Sequence, residues 1–153
     1  MNYIPLQVQS GYSFLESSLK VEDIITHSIS NRIPFACCAE KENMYSFPIL
    51  YSQCTKNNLK PIFGVGLEVK INDASLLIYV YIKNENGYRS LCKLINDERT
   101  IESISKHSDG LILIIPTLSN TLMIENIEDY QKLSRLIYQI SSSFEDTYLG
   151  IEY

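Results

Sequence analysis

The sequence predicts an α/β fold with a mainly parallel sheet. Three observations carry that expectation. Strand-like and helix-like segments alternate in the order β-α-β-α-β-β-α-β-α-β. Phe35–Ala36–Cys37–Cys38–Ala39 is an unbroken apolar run, as in strands covered on both faces. Ile127, Tyr130, Leu133, Leu136, Ile137 and Ile140 form the clearest helical stripe in the chain.

Taken in order, Tyr3 to Val8 alternates apolar and other residues and is expected as the first strand. Gly11 and Ser13 then turn the chain. Val21, Ile24, Ile25 and Ile29 fall at helical spacing, and Glu22 and Asp23 suit the positive end of a helix over Val21 to Ser30. After the apolar run, Glu40–Lys41–Glu42–Asn43 reads as a loop. A helix from Ser46 to Asn57 follows, with Pro48 in its first turn and Phe47, Leu50, Tyr51 and Cys54 as its buried stripe. Pro61 to Val69 is a strand, Asn72–Asp73 a turn, and Leu76 to Ile82 a strand rich in β-branched and aromatic residues. Asn84–Glu85–Asn86–Gly87 carries a turn signal. Helices are expected over Tyr88 to Asn96 and, shorter, from Thr100 or Ile101 to His107. Leu111 to Ile115 is a strand stopped by Pro116, and Tyr148 to Tyr153 begins a last one.

Composition narrows the class. The 153 residues are 45% apolar and 20% charged, as in ordinary globular domains. No apolar run approaches the ~20 residues that span a bilayer, and no signal peptide is apparent, so a cytoplasmic protein is expected. The net charge of −5 argues against this piece gripping nucleic acid by itself. Cys37, Cys38, Cys54 and Cys92 form no zinc-type spacing and read as buried thiols in a reducing compartment. Eleven tyrosines are spread through the segments and read as packing residues. Gly64–Val65–Gly66 lacks the third glycine and the following helix of a phosphate loop. Ser17–Ser18 is a helix-cap candidate with no histidine placed to activate it.

Several collinear stretches carry a resemblance. They are Leu6–Gln7–Val8–Gln9–Ser10–Gly11–Tyr12–Ser13–Phe14–Leu15, Ser18 to Asp23, Asn43–Met44–Tyr45 with Tyr51, Asn58 to Gly64, Lys83 to Leu91, Gly110–Leu111–Ile112 and Leu149 to Glu152. In order and spacing they resemble the start of the bacterial DNA polymerase III alpha-subunit family, in its low-GC Gram-positive form. That start is a polymerase-and-histidinol-phosphatase (PHP) domain, a distorted β/α barrel. A barrel of eight β/α units takes ~250 residues. The chain is therefore expected to be one domain over 1–153, the first part of a PHP barrel cut before it closes.

The resemblance also implies a site. Active members hold a metal cluster in His, Asp and Glu ligands at the barrel rim, donors that suit Zn, Mn or Fe. The family's His-x-His pair falls here on Gln7 and Gln9. Its Thr-Asp-His-Gly-type loop falls on Ala39–Glu40–Lys41–Glu42, so Lys41 stands where a histidine ligand would sit. A carboxylate expected next falls on Gly66, with Glu68 a displaced substitute, and a further histidine falls near Leu77. His27 and His107 lie outside these positions. Glu40 alone is retained as a candidate ligand. The expectation is a degenerate site with no catalytic residue and no bound metal, its rim held by hydrogen bonds from Gln7 and Gln9 and by ion pairs of Glu40 and Lys41.

Three functions are weighed. The first is a structural and interaction domain at the N-terminus of a replicative DNA polymerase. By the resemblance, that polymerase binds Mg²⁺ in a separate domain, and its remaining chain, its replisome proteins and, through them, DNA are the partners. The second is a metal-dependent phosphoesterase of the PHP superfamily, which Gln7, Gln9, Lys41 and Gly66 argue against. The third is a small α/β binding module unrelated to replication, for which the ordered matches would be coincidence. No membrane partner is expected. An open sheet edge at the chain's end would favour a dimer.

Overall fold

A computed structural model describes residues 4–71, 74–120, 123–124 and 128–151. Its regular elements are α1 (Val21–Ser30), β1 (Phe35–Lys41), α2 (Phe47–Lys56), β2 (Lys60–Ile71), β3 (Ala74–Ile82), α3 (Glu85–Asn96), α4 (Ile101–Lys106), β4 (Leu111–Pro116), α5 (Tyr130–Ser141) and β5 (Asp146–Gly150). The α/β class is borne out. The strands pair in the order β1-β2-β3-β4-β5. β1 runs parallel to β2, β3 antiparallel to β4, and β4 parallel to β5. Among the described residues no helix is long and apolar enough to cross a membrane.

The chain divides into two compact units, Met1–Gly66 and Leu67–Tyr153. In the first, α1 forms where the sequence places it. Val21, Ile24 and Ile25 are buried on one face, and the Asp23 carboxylate accepts the Lys20 N–H at 3.2 Å, closing the helix start. These residues pack with Ala36 and Cys38 of β1 and with Leu50 and Cys54 of α2, the core of the unit. Phe47 and Phe63 add a tilted ring contact at 4.8 Å between centroids.

Expectations fail in this unit at the first strand and at Tyr51. Within the expected first strand, residues 4–8 form no strand, and Tyr3 lies outside the described residues. Pro5 has no N–H to give a ladder. Among its links to β1, Ala39 N–H donates to Val8 O at 2.7 Å, and Cys37 Sγ–H donates to Leu6 O at 3.1 Å. The second correction is Tyr51, assigned to the buried stripe of α2 but 60% exposed.

The second unit holds the β2–β3–β4–β5 pairings. Leu67, Val69, Leu76, Ile78, Val80, Leu113 and Ile115 are fully buried in it. Lys83 ties the end of β3 to the start of β5 through ion pairs with Glu145 (3.0 Å) and Asp146 (2.7 Å). The stretch Asn84 to Gly87 is no free-standing turn. Asn84 is the N-cap of α3, its Oδ1 accepting the Gly87 N–H at 3.0 Å, so the helix begins three residues earlier than the apolar pattern implies. Along α5, Leu133, Leu136 and Ile137 are half-buried and Ile140 fully buried, as the stripe predicts, but Tyr130, counted in the same stripe, is 79% exposed at the first residue of the helix. Ile127, Asn72–Asp73 and the end of the last expected strand lie outside the described residues.

Candidate functional site

β1 runs two residues past the apolar stretch and carries Glu40 and Lys41 at its C-terminal end, where a loop was expected. Neighbouring strand residues face opposite sides. Ala36 and Cys38 face the helices, so alternation puts Glu40 on the helix side and Lys41 on the other.

Glu40 is fully buried, as are Ser10 and Ser13. Its carboxylate accepts three hydrogen bonds. Ser10 Oγ–H donates to Oε1 at 2.5 Å, and Ser13 Oγ–H donates to Oε2 at 2.5 Å. The Ser10 N–H adds a third, to Oε2 at 3.2 Å. Ser13 Oγ accepts in turn from the Lys41 N–H at 2.9 Å, and Ser10 Oγ from the Tyr12 N–H at 3.3 Å. Hydrogen bonds to a charged acceptor contribute about 1.5–3 kcal/mol each, which offsets the several kcal/mol of burying the carboxylate.

The network fixes the turn after Ser10. Backbone bonds complete it: Gly11 N–H to Leu19 O at 2.8 Å, Ser13 N–H to Ser10 O at 2.9 Å and Glu16 N–H to Ser13 O at 3.0 Å. Lys41 Nζ pairs with Glu16 at 2.7 Å, and Asn43 Nδ2–H donates to Tyr12 O at 3.1 Å. At the tip of this turn Phe14 is 84% and Leu15 89% exposed. Leu15 also sits at φ 62°, in the left-handed region that costs a side-chain-bearing residue about 1–2 kcal/mol.

The remaining expected positions lie as follows. Gln7 and Gln9 are half-buried, and Gln7 Nε2 is buried without a hydrogen bond. The bonds that hold the turn therefore run through Ser10, Ser13 and Glu40, not through that amide. Gly66 is buried and pairs with Lys41 in the β1–β2 register, its carbonyl accepting the Glu42 N–H at 2.9 Å. Glu68 and Leu77 belong to the second unit. Glu68 is exposed on β2, and the Leu77 carbonyl accepts from Asn120 Nδ2–H at 2.9 Å. His27 lies in the last turn of α1, and His107 caps α4 with its Nε2 3.6 Å from Asp97. Among the described residues, no three His, Cys, Asp or Glu side chains are grouped so as to hold a metal ion. Sequence reading missed Ser10 and Ser13 as partners of Glu40. Their signal, two serines flanking a glycine, is too common to identify a carboxylate's donors.

Burial keeps three thiols of this unit protonated. Burial, and after it the charge of Glu40, pushes Cys38 up to about 12, and burial pushes Cys54 up to about 11. Cys37 is pushed higher still, chiefly by burial. Both folded values lie above the ordinary 9.0, so unfolding releases protons at alkaline pH. The thiol contribution to stability is full below pH 9.0 and is lost as pH rises through 11 to 12. Urea midpoints should therefore fall more steeply with rising pH in the native sequence than in a Cys38→Ala/Cys54→Ala variant.

Comparison with known proteins gives the class to which this β/α fold belongs. The PHP domain family matches residues 5–153, and the chain belongs to that family. It is similar to DNA polymerase III subunit alpha of Ureaplasma parvum serovar 3, 33% identical over 129 residues, covering 84% of this chain and 13% of that protein. It is likewise similar to DNA polymerase III subunit alpha of Staphylococcus aureus strain Mu50, 32% identical over 145 residues, covering 94% of this chain and 13% of that protein. The chain thus spans only a small part of the length of these relatives. Among solved structures, an amidohydrolase from Chromobacterium violaceum aligns over 97% of this chain and 76% of its own, with a TM-score of 0.68 at 8% identity. That likeness shows the fold alone.

Proposed function

We propose that this chain is the N-terminal PHP domain of a replicative DNA polymerase III alpha subunit and acts there as a structural and interaction domain, not as a metal-dependent hydrolase. The observation that carries this is the state of Glu40. The one carboxylate retained among the expected ligand positions is buried on the helix side of β1 and engaged by two hydroxyls and an amide. The other donors do not suit a metal cluster. Gln7 and Gln9 offer neutral amides, Gly66 offers no side chain, and Lys41, where a histidine ligand would sit, has an ammonium with no lone pair to give and is paired with Glu16.

On this reading nucleotide transfer, with its Mg²⁺, belongs to other parts of a polymerase polypeptide. The partners of the domain are the rest of that polypeptide and, through it, replisome proteins and DNA in the cytoplasm. The similarity to polymerase alpha subunits over most of the chain supports it. A nitrophenyl phosphate assay with Zn²⁺ or Mn²⁺ tests it. The expected result is no turnover above the buffer blank. Turnover that Glu40→Gln abolishes would overturn the proposal in favour of a phosphoesterase.

A further inference from the structure

We infer that the turn Tyr12–Glu16 is a docking element, with Phe14 and Leu15 as anchors that seat in an apolar pocket on the remainder of a polymerase polypeptide. The inference rests on the proposed function and names the contact that function requires. Two adjacent large apolar side chains at 84% and 89% exposure are unusual on a surface that packs nothing against them. Their exposure is imposed. The buried Glu40 carboxylate holds Ser10 and Ser13, and the Lys41–Glu16 pair links the outgoing arm of the turn to β1.

Leu15 sharpens the point. At φ 62° a glycine would relieve the backbone, yet a leucine stands there, and among the described residues of its unit nothing buries it. Strained positions persist where surrounding structure over-determines them, and they concentrate at functional sites. A rigid aromatic and aliphatic tip, pre-organised before contact, is the form that binding anchors take. The tip is flanked by the Lys41–Glu16 pair, whose charges cancel, so it fits an apolar pocket with no strong field of either sign. The pocket belongs to the rest of the polypeptide, since the relatives carry most of their length outside the matched region. Tethering to that body gives it a high effective concentration.

The test places this chain in the full Staphylococcus aureus relative in place of the matched 145 residues. Primer extension and limited proteolysis at the junction are followed for the chimera and for its Phe14→Asp/Leu15→Asp form. Leu15→Gly is added as a second variant. The expected result is an active, protease-resistant chimera and a double variant cut at the junction roughly tenfold faster or more. As isolated chains, the double variant should melt with the native sequence and Leu15→Gly at the same or a higher temperature. Leu15→Gly in the chimera should nonetheless loosen the junction. Equal cutting of all forms in an active chimera would overturn the inference and leave the proposed function standing. An inactive native chimera that sheds the domain would overturn the proposed function itself. Self-association of the isolated chain that the double variant abolishes, seen by light scattering, would place a second copy on the tip and also overturn the inference.

Discussion

Replacing Glu40 with alanine is expected to cost about 3–5 kcal/mol of folding free energy, because each buried donor left without an acceptor costs about 1–3 kcal/mol. The reasoning is local. Without the carboxylate, Ser10 Oγ, Ser13 Oγ and the Ser10 N–H lose their acceptor in a site closed to water, and a cavity opens beside Cys38. Glu40→Gln keeps the volume and one acceptor oxygen but aims an amide N–H₂ at a hydroxyl donor. It should cost less, about 1–3 kcal/mol. Ser10→Ala/Ser13→Ala in the Glu40 background should be nearly as damaging as Glu40→Ala, because it strands the charge. Against a typical stability of about 5–15 kcal/mol these are large fractions. Urea unfolding followed by circular dichroism checks the order: Glu40→Ala most damaging, Glu40→Gln intermediate. Equal midpoints for the native sequence and Glu40→Ala would show that the network contributes little.

The second large effect is expected at Gly87. A Cβ there would overlap the carbonyl of Gly110, backbone against backbone, with no flexible side chain to yield. Gly110 is itself at φ 69°, and its own added Cβ would meet Asn84 Oδ1 and the Gly87 N–H. The two glycines let the start of α3 approach the turn before β4, and Asn84 caps the helix across that contact. Gly87→Ala should cost about 3 kcal/mol, the upper part of the overpacking range. For a chain of this size that is a fall in Tm of roughly 6–12 °C. Asn84→Ala, which removes the cap and no space, should cost about 1 kcal/mol. Melting curves of the two variants give the ranking directly. A Gly87→Ala variant melting with the native sequence would contradict the close approach.

These two regions also show what a one-dimensional pattern can carry. α1 was legible in its bounds because Val21, Ile24 and Ile25 at helical spacing, with Asp23 closing its start, are a local signal. The family's ordered motifs were legible too, from Gln7 to Glu152. Asn84–Gly87 was misread because asparagine and glycine serve turns and helix caps alike, and the partner that demands glycine, Gly110, is distant in sequence. Residues 4–8 were misread because the alternation of Ile4, Leu6 and Val8 says nothing about whether a ladder partner is available. Glu40 was assigned to a polar loop because its donors, Ser10 and Ser13, lie about thirty residues earlier. A buried charge is intelligible only with its partners, and those are set by tertiary contact. The exposure of Phe14 and Leu15 was hidden for the same reason.

The proposed loss of a metal site comes down to whether the remaining donors can still gather an ion. Equilibrium dialysis of the native chain and of Gln7→His/Gln9→His against micromolar Zn²⁺ and Mn²⁺, with metal content read by mass spectrometry, is the most direct measurement. The proposal predicts no stoichiometric retention by either protein, because Lys41 and Gly66 remain and the Glu40 carboxylate is engaged by Ser10 and Ser13. Retention of two or more equivalents by the native chain, or a tight site gained with the two histidines alone, would contradict it.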